Sequence, residues 1–364
     1  MTTALIVGGG IAGAVTAMAL QRAGIDAVVH EAYPTGADDI GAFLTIMKNG
    51  MNALRVIDAH QPVIDAGFPA TDLDVYSATG DLLSHRPMSS GAHTITRATL
   101  YGVLHDEMAR RGIPMQHGKR LVAAETTASG VAATFADGTV ATGDVLVGAD
   151  GIHSTTRTII DPTAPPPRYT GLTIAYGYTR ATTFAPSTSA YRMIFGQRAF
   201  FGYTTAPDGE TWWFARAEGT ELTKAEFAAV PQSEWRRRFA ELFADDQTDA
   251  AEIIRTTDTV ICGNAYDVPE TAMWHRGAMV LVGDAAHAAS PAAGQGASMA
   301  LEDSVILAKC LRDYPVGEAF EAYVDLRRER VEKLVATSAN QGTRGPSKPE
   351  SWSWLYDYTI DWDR

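Results

Sequence analysis

Cysteine is nearly missing from this chain: Cys262 and Cys310 are the only two in 364 residues. Two isolated thiols build neither a disulfide framework nor a zinc site, so a reducing cytoplasm is the expected setting. Positive charge is also scarce. With 30 Lys and Arg against 43 Asp and Glu, the net charge is −13. No basic field exists to release counterions from nucleic acid or to hold an anionic membrane, and neither is expected as a partner. Internal repeats and low-complexity tracts are absent. The one stretch that could pass for a signal peptide or membrane anchor, residues 4–20, has no basic segment before it and is interrupted by Gly8, Gly10 and Gly13. What remains is an ordinary globular composition, 46% apolar and 20% charged, with room for two domains or one elaborated one.

The most informative stretch comes first. Ala4–Val7 reads as a short buried strand, and Gly8, Gly10 and Gly13 follow in G-x-G-x-x-G spacing, with Ala12 inside the turn. The first glycine makes the tight turn, the second admits a pyrophosphate against the backbone, and the third lets the next helix pack on the strand. Phosphates then rest on the positive end of that helix. Gly24 stands where a helix ends, and Asp26–His30 reads as a second strand ending at Glu31. That carboxylate lies about twenty residues beyond the glycines, where a ribose hydroxyl needs an acceptor.

Further along, Lys48–Ala59 has helical character, and Leu73–Tyr76 with the Gly80-Asp81 turn suggests a hairpin. Arg97–Arg111 reads as a helix. Leu121–Glu125, Val131–Phe135 and Val140 form a meander around Ser129-Gly130 and Asp137-Gly138 turns. A buried strand over Asp144–Val147 leads into Gly148-Ala-Asp-Gly-Ile-His-Ser-Thr-Thr-Arg157. Residues 161–168, with Pro162 and Pro165–Pro167, cannot continue helix or sheet and suit a crossing between domains. Another buried strand, Ala278–Val282, precedes Gly283-Asp-Ala-Ala-His-Ala-Ala-Ser-Pro-Ala-Ala-Gly-Gln-Gly-Ala-Ser298. There a carboxylate, a proline turn and two glycines stand before a helix N-terminus, a preorganised site for negative charge. The stretch from Gly342 to Pro349 is loop-like.

Taken together, Gly8–Gly13 with Glu31, Gly148–Arg157 and Gly283–Ala297 resemble the FAD-dependent group A aromatic hydroxylases, in order and spacing and over most of the chain. The Ser290–Ser298 stretch is most similar to single-component members such as salicylate and urate hydroxylases and tetracycline-inactivating monooxygenases. The resemblance implies an α/β fold: a Rossmann-like FAD-binding domain of the glutathione-reductase type with an antiparallel-sheet substrate domain. Residues 1–70, 97–165 and 270–341 would form the first, 71–96 and 168–268 the second, and 342–364 a C-terminal tail.

It also implies roles. Gly8, Gly10, Ala12 and Gly13 would cradle the FAD pyrophosphate, and Glu31 the adenosine ribose. Arg97 would sit near the pyrophosphate and ribityl chain, and the Val122 backbone would meet the adenine. Asp150 would serve FAD on one side and the nicotinamide on the other. Asp284 would accept from ribityl hydroxyls, and Pro291, Gly294, Gly296 and Ala297 would border the flavin. His287 reads as structural, and no general base is identified. NADH or NADPH would act as transient reductant. The segment from Glu31 to Met47 contains no Lys or Arg, where many relatives carry a cation, so handling of the extra NADPH phosphate stays open.

For the substrate, Ala190–Phe195, Ala199–Thr205 and Thr211–Ala217 look like antiparallel strands, with helices over Glu221–Phe243 behind them. Gln197, Phe201 and Tyr203, together with Trp212, Phe214 and Arg216, are the expected pocket-lining set; the opposite parity, with Phe200 and Trp213 inward, stays open. The implied activity is monooxygenation of an aromatic, polyketide-like or other hydrophobic molecule through a flavin C4a-hydroperoxide, in a monomer or homodimer. Two alternatives remain: a reductase or dehydrogenase of the same fold, and a flavoprotein that sequesters a small molecule. The halogenase Trp-x-Trp-x-Ile-Pro signature is absent.

Overall fold

The computed structural model describes residues 2–35, 42–181, 183–187, 190–290, 294–343 and 353–364. The apolar β1 (Thr3–Val7) is followed by α1 (Ile11–Arg22), and β2 (Asp26–His30) returns parallel to β1. Gly24 terminates α1 with φ +77°, while the Ile25 N–H donates to the Leu20 carbonyl at 3.0 Å. Glycine takes this left-handed turn at little cost.

Next come β3 (Phe43–Ile46), α2 (Lys48–Val56), α3 (His60–Ala66), β4 (Phe68–Pro69), β5 (Asp72–Ser77), β6 (Leu82–Pro87), β7 (His93–Thr96) and α4 (Arg97–Arg110). The helix expected from Lys48 to Ala59 stops at Val56, and Asp58 just beyond it takes a left-handed φ of +54°. Then follow β8 (Met115–Gln116), β9 (Leu121–Thr127), β10 (Gly130–Phe135), β11 (Val140–Gly143), β12 (Val145–Gly148) and α5 (Thr155–Ile160). The proline-rich crossing leads into a long strand, β13 (Arg168–Thr179), which the sequence reading left out. The antiparallel strands β14 (Ala190–Phe195), β15 (Ala199–Thr205) and β16 (Thr211–Glu218) follow. The chain continues through α6 (Lys224–Ala229), α7 (Gln232–Glu241), α8 (Ala250–Arg255), β17 (Ile261–Asp267), β18 (His275–Arg276) and β19 (Met279–Leu281). It then runs through α9 (Asp284–His287), α10 (Gly296–Asp313), α11 (Val316–Thr343) and α12 (Ser353–Tyr356).

Two large sheets organise these elements. One runs β18-β19-β12-β1-β2-β8, with β12, β1 and β2 parallel and β19 parallel to β12. The other runs β17-β13-β16-β15-β14-β5-β6. Smaller sheets, β3-β7-β4 and β11-β10-β9, complete the fold. Helices α7 and α8 and the segment between them supply Phe239, Phe243, Ile253 and Ile254 to a core behind the second large sheet.

The loop expected from Gly342 is helical at its start, because α11 runs through Thr343. Beyond it, the segment from α12 onward packs onto the first domain. Leu355 is fully buried, Trp354 lies beneath Lys333 and Arg330, and Trp362 is held between Arg22 and Arg312. Among the described residues no helix is long and apolar enough to cross a membrane.

Candidate active site

The three sequence motifs follow β1, β12 and β19, which are neighbouring parallel strands. Their carboxyl ends therefore open onto the same edge of the sheet, the usual place for a ligand in such folds. The motifs touch one another there. A Cβ at Gly8 (φ +101°) would stand 2.5 Å from the Ala149 carbonyl oxygen, so the first loop lies directly on the second. A Cβ at Gly283 would meet Ala12 Cβ at 3.2 Å, joining the first loop to the third. Arg157 is buried and donates to the Ala285 carbonyl at 3.0 Å and to the Ile152 carbonyl at 2.6 Å. It ties the second motif to the third.

Within the first loop, a Cβ at Gly13 would lie 1.9 Å from the Gly8 carbonyl oxygen, so only glycine fits. Gly10 has nothing within 4 Å of its Cβ position and caps α1 with no side-chain bond to the helix end. The result is an open helix N-terminus whose N–H groups can receive a pyrophosphate. Glu31 is held firmly: its carboxylate accepts from Gly9 N at 2.7 Å and Tyr33 N at 2.9 Å. His105 of α4, which the sequence reading passed over, meets the Gly9 carbonyl from the other side at 2.6 Å. Val122 is skipped in the pairing of β9 with β10, where Leu121 faces Phe135 and Ala123 faces Thr134. A bulge of this kind frees the backbone of the extra residue.

Asp150 has a local task. Its carboxylate accepts from Ser154 Oγ, from Thr156 N at 2.9 Å and from Thr156 Oγ1 at 3.0 Å. Ser154 in turn caps α5 through Arg157 N. The aspartate thus knits its own loop together.

The third motif is more open. Asp284 keeps a solvent-accessible side chain at the start of α9, close to the α10 N-terminus and densely surrounded by protein. Burial raises its pKa, opposed by the charges of His287 and Arg97. Arg97, first residue of α4, therefore acts on the same cleft. Gly294 (φ +59°) has nothing within 4 Å of its Cβ position, and the Gly296 Cβ position lies 3.8 Å from Asp284 Oδ1. Ala297 is half-buried beside them. No side chain caps α10, so its N-terminus, like that of α1, presents free N–H groups. The buried Gln295 Nε2 and Asn49 Oδ1 also have no partner among the described residues. Pro291 lies outside the described residues.

His287 is structural, as its sequence context suggests. Its ring bonds to Asp303, whose Oδ2 also accepts from Gly283 N at 3.0 Å and whose Oδ1 accepts from Arg327 Nε at 2.7 Å. Arg327 also pairs with Glu302, which accepts from Arg330 at 2.8 Å and from Asn49 Nδ2 at 2.6 Å. This fully buried network fixes α10 to α9, α11 and α2.

The expected pocket set splits across the second large sheet. In register, Phe201 faces Ala215, Tyr203 faces Trp213, and Phe200 faces Arg216. Directly opposed residues in an antiparallel pair point to the same side, so Phe201 and Tyr203 go with Trp213 and not with Trp212. Those three lie in the rear core, with Phe201 stacked on Trp213 at 5.5 Å and edge to face with Phe243 of the α7–α8 segment at 5.4 Å. Tyr203 accepts from Arg192 Nη1 at 3.0 Å. Gln197 is exposed and bound to the Asp245 carbonyl at 3.3 Å. Gln197, Phe201 and Tyr203 are therefore corrected to positions away from the front face. Trp212, Phe214 and Arg216 stay on it, joined by Phe200.

That front face meets β3 and β4 of the first domain. Phe43 lies 5.6 Å from Trp212, 5.9 Å from Phe214 and 6.2 Å from Tyr191, and Phe68 lies 5.2 Å from Trp212. Thr45 Oγ1 donates to Tyr191 Oη at 2.8 Å. Burial pushes the phenols of Tyr178 and Tyr191 up to about 12, so both are neutral hydrogen-bonding groups at physiological pH. β3 offered no motif, and only its short Phe-Leu-Thr-Ile run hinted at a strand.

Open glycine loops, two uncapped helix ends, an accessible enclosed carboxylate and orphaned amide groups suit a dinucleotide. A family model described as "FAD binding domain" matches residues 1–338. The chain is 30% identical to aurachin C monooxygenase/isomerase of Stigmatella aurantiaca, covering 94% of this chain and 89% of that protein. It is 28% identical to an FAD-dependent urate hydroxylase of Mycolicibacterium vanbaalenii, covering 91% and 85%. The crystal structure of Klebsiella pneumoniae HpxO with FAD and uric acid superimposes with a TM-score of 0.84 at 25% identity, covering 94% and 88%. The chain belongs to the FAD-binding-domain family of flavin-dependent monooxygenases.

Proposed function

We propose that this monooxygenase consumes NADH or NADPH and O₂ to hydroxylate or epoxidise an aromatic, polyketide-like or other hydrophobic small molecule. The observation that carries this reading is the convergence of three loops on one sheet edge. Bound there, FAD would supply the redox chemistry and the activation of O₂. The chain supplies the rest. Gly8, Gly10, Ala12 and Gly13 hold the pyrophosphate at the α1 N-terminus, with Glu31 near the ribose and Val122 near the adenine. Asp284 and Arg97 orient the ribityl segment. Asp150 supports it indirectly, by holding its loop. Gly294, Gly296 and Ala297 would present the α10 N-terminus to negative charge on the flavin edge, and Pro291 is assigned to the same site by its place in the motif. Trp212, Phe214 and Phe200 exclude water from the substrate side.

In this reading, residues 1–70, 97–165 and 270–341 serve the cofactor, and 71–96 with 168–268 serve the substrate. The protein works in the cytoplasm as a monomer or homodimer. The deciding experiment follows NAD(P)H oxidation and ¹⁸O₂ incorporation with a panel of aromatic and polyketide-like compounds. Labelled product supports the reading. Turnover without oxygen would make it a reductase, and tight binding without turnover a sequestering protein.

A further inference from the structure

The first turn of α10 is gripped from one side by the start of α2. Three contacts make the grip. The Met47 N–H, just before α2, donates to Ser298 Oγ at 3.1 Å. A Cβ at Gly50 would stand 2.8 Å from Ser298 Oγ and 3.0 Å from Ser298 Cα, so the two helices meet there with no side chain between them. Beside them Asn49 reaches across. Its Nδ2 donates to Glu302 Oε1 at 2.6 Å and to Gln295 Oε1 at 3.2 Å.

The chemistry on both sides fixes how the Asn49 amide is turned. Glu302 is fully buried, and its carboxylate also accepts from Arg327 and from Arg330 at 2.8 and 2.9 Å. An ionised carboxylate can only accept, so Asn49 must offer it the NH₂ group. The same NH₂ group then takes the oxygen of Gln295. Asn49 and Gln295 are each 1% exposed, so no bulk water stands by to replace a lost bond.

Gln295 is what links this grip to the cleft. It is the residue just before α10 and stands between Gly294 and Gly296. Gly294 takes a left-handed φ of +59° with open space around its Cβ position, and the Gly296 Cβ position lies 3.8 Å from Asp284 Oδ1. Two glycines leave this stretch of backbone free to move. The single side chain between them is the one that can hold it still, and Asn49 holds that side chain.

We propose that Asn49 is a positioning residue for the cofactor. It acts through Gln295, keeping residues 294–296 in place so that the N–H groups at the α10 N-terminus stay aimed at the flavin edge. This rests on the monooxygenase reading above for the identity of the bound group. It goes beyond that reading by giving the aim of the third motif to a residue outside all three motifs.

The test uses purified FAD-bound protein. FAD release after dilution is timed by its fluorescence, the potential of the bound flavin is set against indicator dyes, and stability is read by urea unfolding. Asn49→Leu, of similar volume, should speed FAD release at least about tenfold, the size of one buried hydrogen bond. It should also shift the potential to more negative values by about 30 mV, because the aimed N–H groups favour the more negative reduced cofactor; that shift is a tenfold change for a two-electron couple. Gln295→Leu should do the same. The double variant should release FAD within about twofold of Gln295→Leu alone, since Asn49 works through that residue. Wild-type release and potential in Asn49→Leu, additive effects of the two substitutions, or lost stability with an unmoved potential overturns the proposal. If Asn49→Leu does not retain FAD, Gln295→Leu decides: an unmoved potential there overturns it. Protein that shows these shifts yet never incorporates labelled oxygen would sink the monooxygenase reading and leave this one standing.

Discussion

The cofactor cleft and the substrate sheet are built from different materials. The cleft is made of backbone: glycines at 8, 10, 13, 294 and 296, with uncapped helix ends behind them. The sheet is made of side chains whose meaning depends on which way each strand faces. A backbone site is written in residue type and spacing, because only glycine permits the approach. A sheet face is written in parity, and a shift of one residue inverts it. At Gly8 and Gly13 the first kind of site leaves no room for a Cβ. The second kind is made of side chains that can be exchanged while the strand stays paired.

Substitutions can break or sharpen this contrast. The largest effect is expected at Gly13→Ala, whose Cβ would stand 1.9 Å from the Gly8 carbonyl oxygen. Purified protein should be colourless or unfolded; a yellow variant with wild-type FAD content would show that the loop bends where we say it cannot.

Next is the buried network behind the cleft. Asp303→Ala takes the partner from His287 and one of the two carboxylates from Arg327, leaving Glu302, and should cost about 3–5 kcal/mol in urea unfolding. Burial pushes the Asp303 carboxyl up, but the His287 and Arg327 charges pull it further down, to about 2. The unfolded carboxyl titrates near 3.9, so its share of stability is complete above about pH 4 and is lost as pH falls towards about 2. A wild-type acid transition unchanged by Asp303→Ala would contradict this.

The sheet supplies a paired test. Trp213 is fully buried in the rear core and donates to Thr257 Oγ1 at 2.8 Å. Trp213→Ala should destabilise by about 3–5 kcal/mol while leaving substrate preference alone in whatever protein folds. Trp212→Ala should do the reverse, shifting KM with a smaller loss of stability. Equal stability losses at both would remove the distinction between the two faces. Smallest is Tyr203→Phe, which takes one hydrogen bond from Arg192 and should cost about 1 kcal/mol. A specificity change there would return Tyr203 to the pocket.

Much of the cleft was legible before any coordinates. Gly8 and Gly24 take left-handed backbone and Gly13 leaves no room for a Cβ, while Gly10 stands open before α1, so their spacing carried the fold with it. Gly294, also left-handed, was legible for the same reason, and Asp284 by its place in the motif. Asp150 shows the limit: its motif marked the right loop, but not that the carboxylate bonds Ser154 and Thr156. Arg157 and Gln295 stood inside the motifs without a role, because a long-range partner such as the Ala285 carbonyl leaves no local trace. The pocket parity was recoverable. The turn from Ala206 to Glu210 sets Thr205 opposite Thr211, which pairs odd with odd and even with even. Each strand had been read separately, and the constraint between them was missed. β13 follows a run of prolines, yet Leu172, Ile174, Tyr176 and Tyr178 alternate there with Thr173, Ala175, Gly177 and Thr179, a strand signal that was available.

The alternation of β16 has a consequence for substitution. From Thr211 to Ala217 its residues are buried, half-buried, buried, in strict turn. Trp213 and Ala215 pack into the rear core, while Trp212, Phe214 and Arg216 point to the opposite face. Two kinds of neighbour are thus interleaved on one short strand without sharing a position. A substitution at one residue acts on the packing of the core, and at the next on the face that meets β3 and β4.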